Sequence, residues 1–347
     1  MRTMTGQQAD GSPISDAGCC GASARRASSP QPGTGCPPEA GGAQGACTAL
    51  AAPAPAGMVW IPGGAFLMGS DRFYREERPA KPAVVDGFWM DAGPVTNADY
   101  TRFVAATGYM TVAERQPDPA MYPDADPALL APGSLVFRKP ARPVSLRNNL
   151  AWWSYAPGAC WRAPQGPGSS VDGLADHPVV HVAYEDALAY AAWAGKALPT
   201  EAEWEFAARG GLDGAVYAWG DDPAPGGRIM ANTWQGRFPW ENLAEDGFEG
   251  TSPVGAFPPN GYGLLDVTGN VWEWTSSLYG PTPDAGETAC CRAPVQTSQI
   301  EQRVVKGGSH LCAPNFCLRY RPSARQGEAV DSATTHIGFR CIIRPPS

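Results

Sequence analysis

No run of apolar residues in this chain approaches the ~18 needed to cross a bilayer as a helix, so no membrane-spanning helix is expected. Positive charge is also short: 26 Lys and Arg stand against 34 Asp and Glu, giving a net charge of −8. That balance repels a phosphate backbone and excludes nucleic acid as the main partner. Histidine is scarce, at four in 347 residues, which leaves little for an iron centre built on a histidine cluster. The ten cysteines contain no Cys-x-x-Cys pair and no evenly spaced framework. The stretch from Met1 to about Gly57 lacks a continuous apolar core, so no secretory signal is expected. A cytoplasmic, thiol-reducing setting with few structural disulfides follows as the expectation.

Other residues are plentiful. Gly at 41, Pro at 36 and Trp at 12 point to many turns held by aromatic packing, and 43% hydrophobic residues suffice for a core. The expected fold is therefore a single, loop-rich α+β domain with little regular secondary structure. Residues 1–57 hold almost no large apolar side chains to offset ordering entropy and read as a disordered tail. Residues 58–347 read as the folded domain, with no internal repeat or linker. Met58–Gly64 and Gly64–Gly69 read as two short strands flanking a Pro-Gly turn, and Val84–Met90 as a further strand. Asn97 reads as the cap of a helix that Gly108 stops, and Tyr184–Ala194 as a second helix. Thr200 and Glu203 form a capping box for a third. Val179–Val182 reads as a buried strand, with His177 and His181 as core or turn residues rather than ligands.

Three places could carry chemistry. Cys312 and Cys317 follow the Gly307-Gly308-Ser309 break and precede Arg319-Tyr320-Arg321. Such thiols could form a disulfide, pair a nucleophile with His310, or hold a soft ion, Cu(I) above all. The residues alone leave these open. Asn232 with Asp246, and Asp266 with Glu273, sit in Gly-rich turns and could offer oxygens to a hard cation, or could simply be solvated. Cys19-Cys20 in the tail could bind a soft metal or be incidental.

Several collinear stretches resemble the formylglycine-generating (sulfatase-modifying) enzyme family. They are Met58–Gly64 with Met68-Gly69, Pro199–Glu205, Ala207–Gly211, Gly261–Leu264, Gly269–Trp274 and Gly338–Cys341. The resemblance spans 58–345 and implies a C-type-lectin-like α+β fold. It also implies oxidation of the cysteine in a sulfatase Cys-x-Pro-x-Arg motif to Cα-formylglycine with O2. By the same resemblance, Cys312 and Cys317 hold Cu(I), and Ser309 and Trp272 line the oxygen and substrate pocket. Arg319 and Asp118 line the peptide groove, Asp118 pairing with the substrate arginine. Asn232, Thr233, Asp246 and Phe248 match one structural calcium site; Asp266, Gly269, Val271 and Glu273 match a second. The implied partner is an unfolded or nascent sulfatase, and the chain is expected to be a monomer.

The chain departs from the family pattern in places. Phe316 stands where a Tyr is usual, Ala313-Pro314 where His is common, and Pro94 where the groove is acidic. Ala191, Ala208 and Pro322 replace cysteines that secretory members pair, which leaves Cys341 without that partner. Two other readings stand beside the oxidase: a lectin-like binding module without catalysis, and an iron-dependent C–S bond-forming oxidase. The cysteine pair argues against the first and the shortage of histidine against the second.

Overall fold

Short strands and well-capped helices carry most of the regular structure, and long irregular loops connect them. The structure, a computed structural model, describes residues 54–123, 126–280 and 300–346. Cys19-Cys20 and nearly all of the 1–57 tail lie outside these residues. Ala52–Ser347 forms one compact unit.

In chain order the strands and helices are β1 Met58–Ile61, β2 Gly64–Met68, β3 Lys81–Val85, β4 Phe88–Asp91 and α1 Asn97–Thr107. Next come β5 Gly133–Phe137, β6 Trp153–Pro157, α2 Tyr184–Trp193 and α3 Glu201–Arg209. The last are β7 Trp272–Leu278, β8 Gln302–Lys306, β9 Arg325–Ala329, β10 Ile337–Gly338 and β11 Ile342–Ile343. One sheet runs β1-β4-β11 and another β10-β7-β8-β9, while β2-β3 and β5-β6 are hairpins. This is the expected α+β fold.

The local signals behave as polar-group accounting requires. Thr200 Oγ1 accepts from Glu203 N–H and the Glu203 carboxylate accepts from Thr200 N–H, closing the capping box. The cap of α1 is Thr96, one residue before Asn97, with Asp99 as its reciprocal partner. Gly108 and Gly210 end α1 and α3 in the left-handed conformation. Two strand expectations need correcting. Val84–Met90 is broken at Asp86-Gly87 into β3 and β4. Val179–Val182 is buried but is no strand: His181 takes φ 59°, and the surrounding amides bond singly to Val95 and Thr334.

Aromatic packing fills the core as the composition suggested. Tyr100 of α1 contacts Phe103, Trp161, Tyr190 and Phe339 in edge or stacked geometry. Fully buried ion pairs cross between elements. Glu205 of α3 accepts from Lys306 Nζ of β8 at 2.9 Å and from Arg209 at 2.7 Å. Arg321 Nη1 donates to Glu77 at 3.0 Å. Arg340 clasps Glu273 through two 2.7 Å bonds.

Of the four histidines, His181 and His310 are buried and His336 is half-buried. His181 bonds Ser134 Oγ at 2.6 Å and the Pro164 carbonyl at 2.8 Å. His310 donates from Nδ1 to the Asn270 carbonyl at 2.9 Å, and His336 pairs with Thr334. Burial pulls His181 and His310 down to about 4 and His336 to about 3. Because each folded value lies below the unfolded one, the native state holds fewer protons. Their stabilisation is complete above the unfolded value of ~6.5 and is lost as pH falls toward 4. Each should cost on the order of 2 kcal/mol by about pH 5. Urea midpoints measured at neutral pH and near pH 5 should therefore fall on acidification; unchanged midpoints would refute the assignment.

Candidate active site

The cysteine loop is shaped by two glycines. As the chain leaves β8, Gly307 and Gly308 take φ of 93° and 70°, and a Cβ on Gly308 would meet the Arg319 and Tyr320 backbone at 2.8–2.9 Å. The Ser309 carbonyl then accepts from Cys312 N–H at 2.9 Å, and the Ala313 carbonyl from Cys317 N–H at 2.7 Å. These consecutive turns face the thiols toward each other with their sulfurs 3.0 Å apart. A disulfide requires about 2.05 Å, so the two sulfurs are unbonded and share a hydrogen bond.

Backbone bonds tie this loop to the other stretches that the sequence singles out. The Asn270 carbonyl accepts from His310 N–H at 2.9 Å, and Asn270 N–H donates to the Asn232 carbonyl at 2.8 Å. Trp234 N–H donates to the Cys312 carbonyl at 3.0 Å, and Gly269 N–H to the Gly307 carbonyl at 2.9 Å. Trp272 is buried in the same apolar cluster as both cysteines. Ser309 is fully buried, its N–H 3.4 Å from Cys312 Sγ. His310 is occupied by Asn270 and has no bond to either thiol, so it orients the loop rather than serving as a nucleophile's base.

One proton is shared unequally. The hydrogen bond from Cys312, with help from the Arg319 guanidinium, outweighs burial and holds Cys317 down to about 7. Burial and the neighbouring sulfur push Cys312 well above the usual thiol range. Negative charge therefore rests on Cys317, with Arg319 Nη1 3.9 Å away. Arg319 is itself held by Glu76 and lies 3.9 Å over the Tyr74 ring. Neither Glu76 nor Tyr74 is evident in the sequence reading. The available signal was the adjacent acids Glu76-Glu77, which meet Arg319 and Arg321 across about 243 positions of chain.

Asp118 lies elsewhere. It is exposed, accepts from Ala120 N–H at 2.9 Å, and lines a cavity of about 780 Å³ with Val112, Met121, Tyr155 and Leu188. Neither cysteine nor Arg319 lines that cavity. The structure thus brings Ser309, Trp272, Arg319 and the thiols together and sets Asp118 apart. Phe316 stacks on Phe238 at 4.6 Å with 7° between planes, and its edge meets Trp152. Its ring packs in an aromatic group that does not call on a hydroxyl.

Donor chemistry separates the three candidate metal sites. Two sulfurs with no third His, Cys, Asp or Glu completing a ligand group among the described residues suit a soft, low-coordinate ion and not four-ligand zinc. In the first oxygen set, Asn232 Oδ1 is buried without a hydrogen-bond partner. Gln235 links Asp246 to Thr233, bringing these oxygens close together, and Asp246 also accepts from Phe248 N–H. A buried orphan amide oxygen, next in the chain to the Thr233 that Gln235 ties to the Asp246 carboxylate, is a donor of the kind Ca2+ takes. The second set does not fit. Both Glu273 oxygens are taken by Arg340, one of them also by Trp204 Nε1–H at 2.7 Å. Arg340 also donates to the Leu265 and Asp266 carbonyls. A guanidinium thus supplies the positive charge that a divalent ion would bring, and Gly269 and Val271 serve as backbone in that loop.

A lectin-like α+β frame holding a buried, reduced dithiol defines the class. The model of the "Sulfatase-modifying factor enzyme 1-like domain" matches residues 45–345, and the chain belongs to that family. It is 56% identical over 296 residues to a protein of Mycobacterium tuberculosis named formylglycine-generating enzyme, covering 84% of this chain and 98% of that one. A mouse protein of the same name is 45% identical, covering 82% and 74%. A mouse protein named inactive C-alpha-formylglycine-generating enzyme 2 is 43% identical, covering 82% and 84%. The solved structure of PvdO from Pseudomonas aeruginosa shares the fold, with a TM-score of 0.56 at 24% identity over 82% of this chain and 93% of that one.

Proposed function

We propose that this chain is a copper-dependent oxidase that converts the cysteine of a Cys-x-Pro-x-Arg motif in a nascent or unfolded sulfatase to Cα-formylglycine, using O2. The observation that carries the reading is the reduced pair, 3.0 Å apart, with its charge held on Cys317 beside Arg319. Since relatives named inactive also match at 43% identity, family membership alone does not establish catalysis, and the pair supports the enzyme reading over a purely binding module.

Cys312 and Cys317 would hold Cu(I), which supplies one-electron chemistry toward O2. The protein's own residues do the rest. Ser309 N–H and Arg319 stabilise sulfur-centred charge from two sides. Trp272 and the surrounding cluster keep bulk water from the thiols. Asp118 offers a carboxylate to the substrate arginine at the cavity edge. Overall the substrate thiol carbon (a methylene bearing –SH), O2, two protons and two electrons give the aldehyde, hydrogen sulfide and water, the two electrons coming from an external reductant. A Cys-x-Pro-x-Arg peptide incubated with the Cu(I)-loaded protein should gain an aldehyde that a hydrazide probe captures for mass spectrometry. An unchanged peptide at confirmed copper occupancy would overturn the reading.

The proposal includes one structural Ca2+ held by Asn232, Thr233, Asp246 and Phe248, supported by the orphan Asn232 oxygen. A ligand bound only to the native state raises stability, so chelation should lower the Tm of wild type and leave Asn232→Ala unmoved. Equal shifts in both would remove the site. A cytoplasmic location agrees with Cys160, Cys312, Cys317 and Cys341, which are all free. Among the described residues no helix is long and apolar enough to cross a membrane.

A further inference from the structure

The wall of the Asp118 cavity contains a cation that an arriving arginine would have to meet. Arg115 lines that cavity three residues before Asp118, and no other Lys or Arg lines it among the described residues. Three residues span at most ~10 Å, close to the screening length of ~8 Å in physiological salt. An uncompensated Arg115 would therefore oppose binding of a guanidinium at Asp118.

Two carboxylates face Arg115. Its Nη1 donates to Glu185 at 3.0 Å, but the Glu185 side chain is 62% exposed, so water screens much of that attraction. Asp186, the next residue on α2, is fully buried and stands 3.8 Å from Nη2. The Arg115 Nε and Nη2 atoms are themselves buried and donate no hydrogen bond. Their charge is balanced chiefly by the carboxylate that water does not reach. Asp186 is in turn fixed from two sides. Its Oδ2 accepts from Ala183 N–H at 2.8 Å, and its Oδ1 from Val112 N–H at 3.0 Å and the Tyr109 hydroxyl at 3.1 Å. Val112 begins the 3-10 turn Val112–Glu114, which leads directly into Arg115. One carboxylate thus holds the main chain that delivers Arg115 and balances its charge.

We propose that Asp186 is a positioning residue for recognition of the substrate arginine, its buried carboxylate holding and neutralising Arg115 so that Asp118 meets the guanidinium without a competing cation. The inference rests on the proposed function only in that Asp118 takes that arginine. The two acids have separate tasks: Asp118 is exposed and reaches the ligand, whereas Asp186 has no exposed surface and acts through Arg115.

A pH dependence follows. Burial pushes the Asp186 carboxyl up to about 6, against the pull of the Ala183 and Val112 amides, the Tyr109 hydroxyl and Arg115. Tyr100 of α1, Glu114 and Glu185 are the other ionisable groups around this cluster. As pH falls through about 6, the carboxyl takes up a proton and Arg115 loses its buried countercharge. Binding of an arginine peptide should then weaken.

The test reads binding alone, on metal-free, full-length protein. Its probes are fluorescent Ser-x-Pro-x-Arg and Ser-x-Pro-x-Ala peptides, with serine in place of the reactive cysteine. At neutral pH wild type should bind the arginine peptide more tightly. Asp186→Asn, close in shape, should weaken the arginine peptide by about tenfold and the alanine peptide by less than about twofold, as unmasking a like charge requires. Adding Arg115→Met to Asp186→Asn should recover wild-type affinity, because the unmasked cation is gone. Arg115→Met alone leaves the buried carboxylate in place, which guards against a folding defect. Wild-type affinity for the arginine peptide should fall by about tenfold from neutral pH to about pH 5, and that of Arg115→Met should stay flat. Equal weakening of both peptides by Asp186→Asn, no weakening, a double variant no better than the single, or an Arg115→Met profile as steep as wild type overturns the proposal. Wild-type discrimination between the peptides leaves the Asp118 reading standing in each of those cases. A wild type that binds both peptides equally overturns the Asp118 reading, and the proposal with it.

Discussion

Replacing Cys317 by Ser should lower aldehyde formation on a Cys-x-Pro-x-Arg peptide by three orders of magnitude or more, on the order of 4 kcal/mol of lost transition-state stabilisation. Cys312→Ser should do the same. The cause lies in the donor set: a hydroxyl is a hard, weakly acidic oxygen, and one remaining thiolate cannot hold a soft ion as two do. The fold should survive. Each thiol bonds its partner across 3.0 Å and takes one weaker contact, Cys312 from Ser309 N–H and Cys317 from Arg319, while the loop is held by Ser309, Ala313, Asn270 and Trp234 main-chain bonds that neither substitution touches. A hydrogen bond to a charged sulfur contributes about 1.5–3 kcal/mol, a modest share of a domain's stability. The variants differ in one further respect. In Cys312→Ser the strongest influence lowering Cys317 is weakened, so the Cys317 thiol should titrate above its value of about 7. Steady-state kinetics, circular dichroism and thiol titration of the metal-free protein check all three statements. Substantial activity in either variant would refute the two-thiolate site.

The second large effect concerns stability. Arg340 is fully buried and makes two 2.7 Å bonds to Glu273, with further bonds to the carbonyls of Ala92 and Leu265. Arg340→Met would leave a buried carboxylate facing one indole N–H. Breaking a buried pair from one side costs roughly 3–5 kcal/mol, because the remaining charge has lost its partner. At roughly 2–4 °C per kcal/mol for a domain of this size, Tm should drop by about 6–20 °C. The double variant Arg340→Met with Glu273→Leu should recover much of the loss, because it removes the orphaned charge as well. Denaturant unfolding of the four proteins in the cycle decides the matter, and an Arg340→Met variant within about 1 kcal/mol of wild type would refute the account.

What could be read in the sequence was whatever depends on neighbours in the chain. The Thr200/Glu203 box, the Gly108 and Gly210 stops and the β1–β2 turn are local satisfactions of backbone groups, and the structure contains them. Cys312, Cys317 and Ser309 were also legible, since five positions and two glycines place them in one loop. Val179–Val182 was misread because burial on all sides yields an apolar run whether or not a ladder forms. The Glu76–Arg319 contact lay out of reach for another reason. It joins residues 243 positions apart, and nothing in spacing reveals which acid meets which base. The Glu273 carboxylate shows the same limit: its role is set by Arg340, 67 positions away.

The main-chain bonds that join Asn232 to Asn270, Asn270 to His310, and Gly269 to Gly307 have a consequence for how freely this region can vary. An amide bond of the backbone is indifferent to the side chain attached to it, provided the turn permits that residue. Pro314, Asn315 and Phe316, which are exposed, could therefore be randomised with the thiols left in register, so long as Gly307, Gly308 and the buried Ala313 stay. Peptide preference would then be open to selection independently of the reactive pair, which makes the segment between the two sulfurs the natural place to build a library for retargeting.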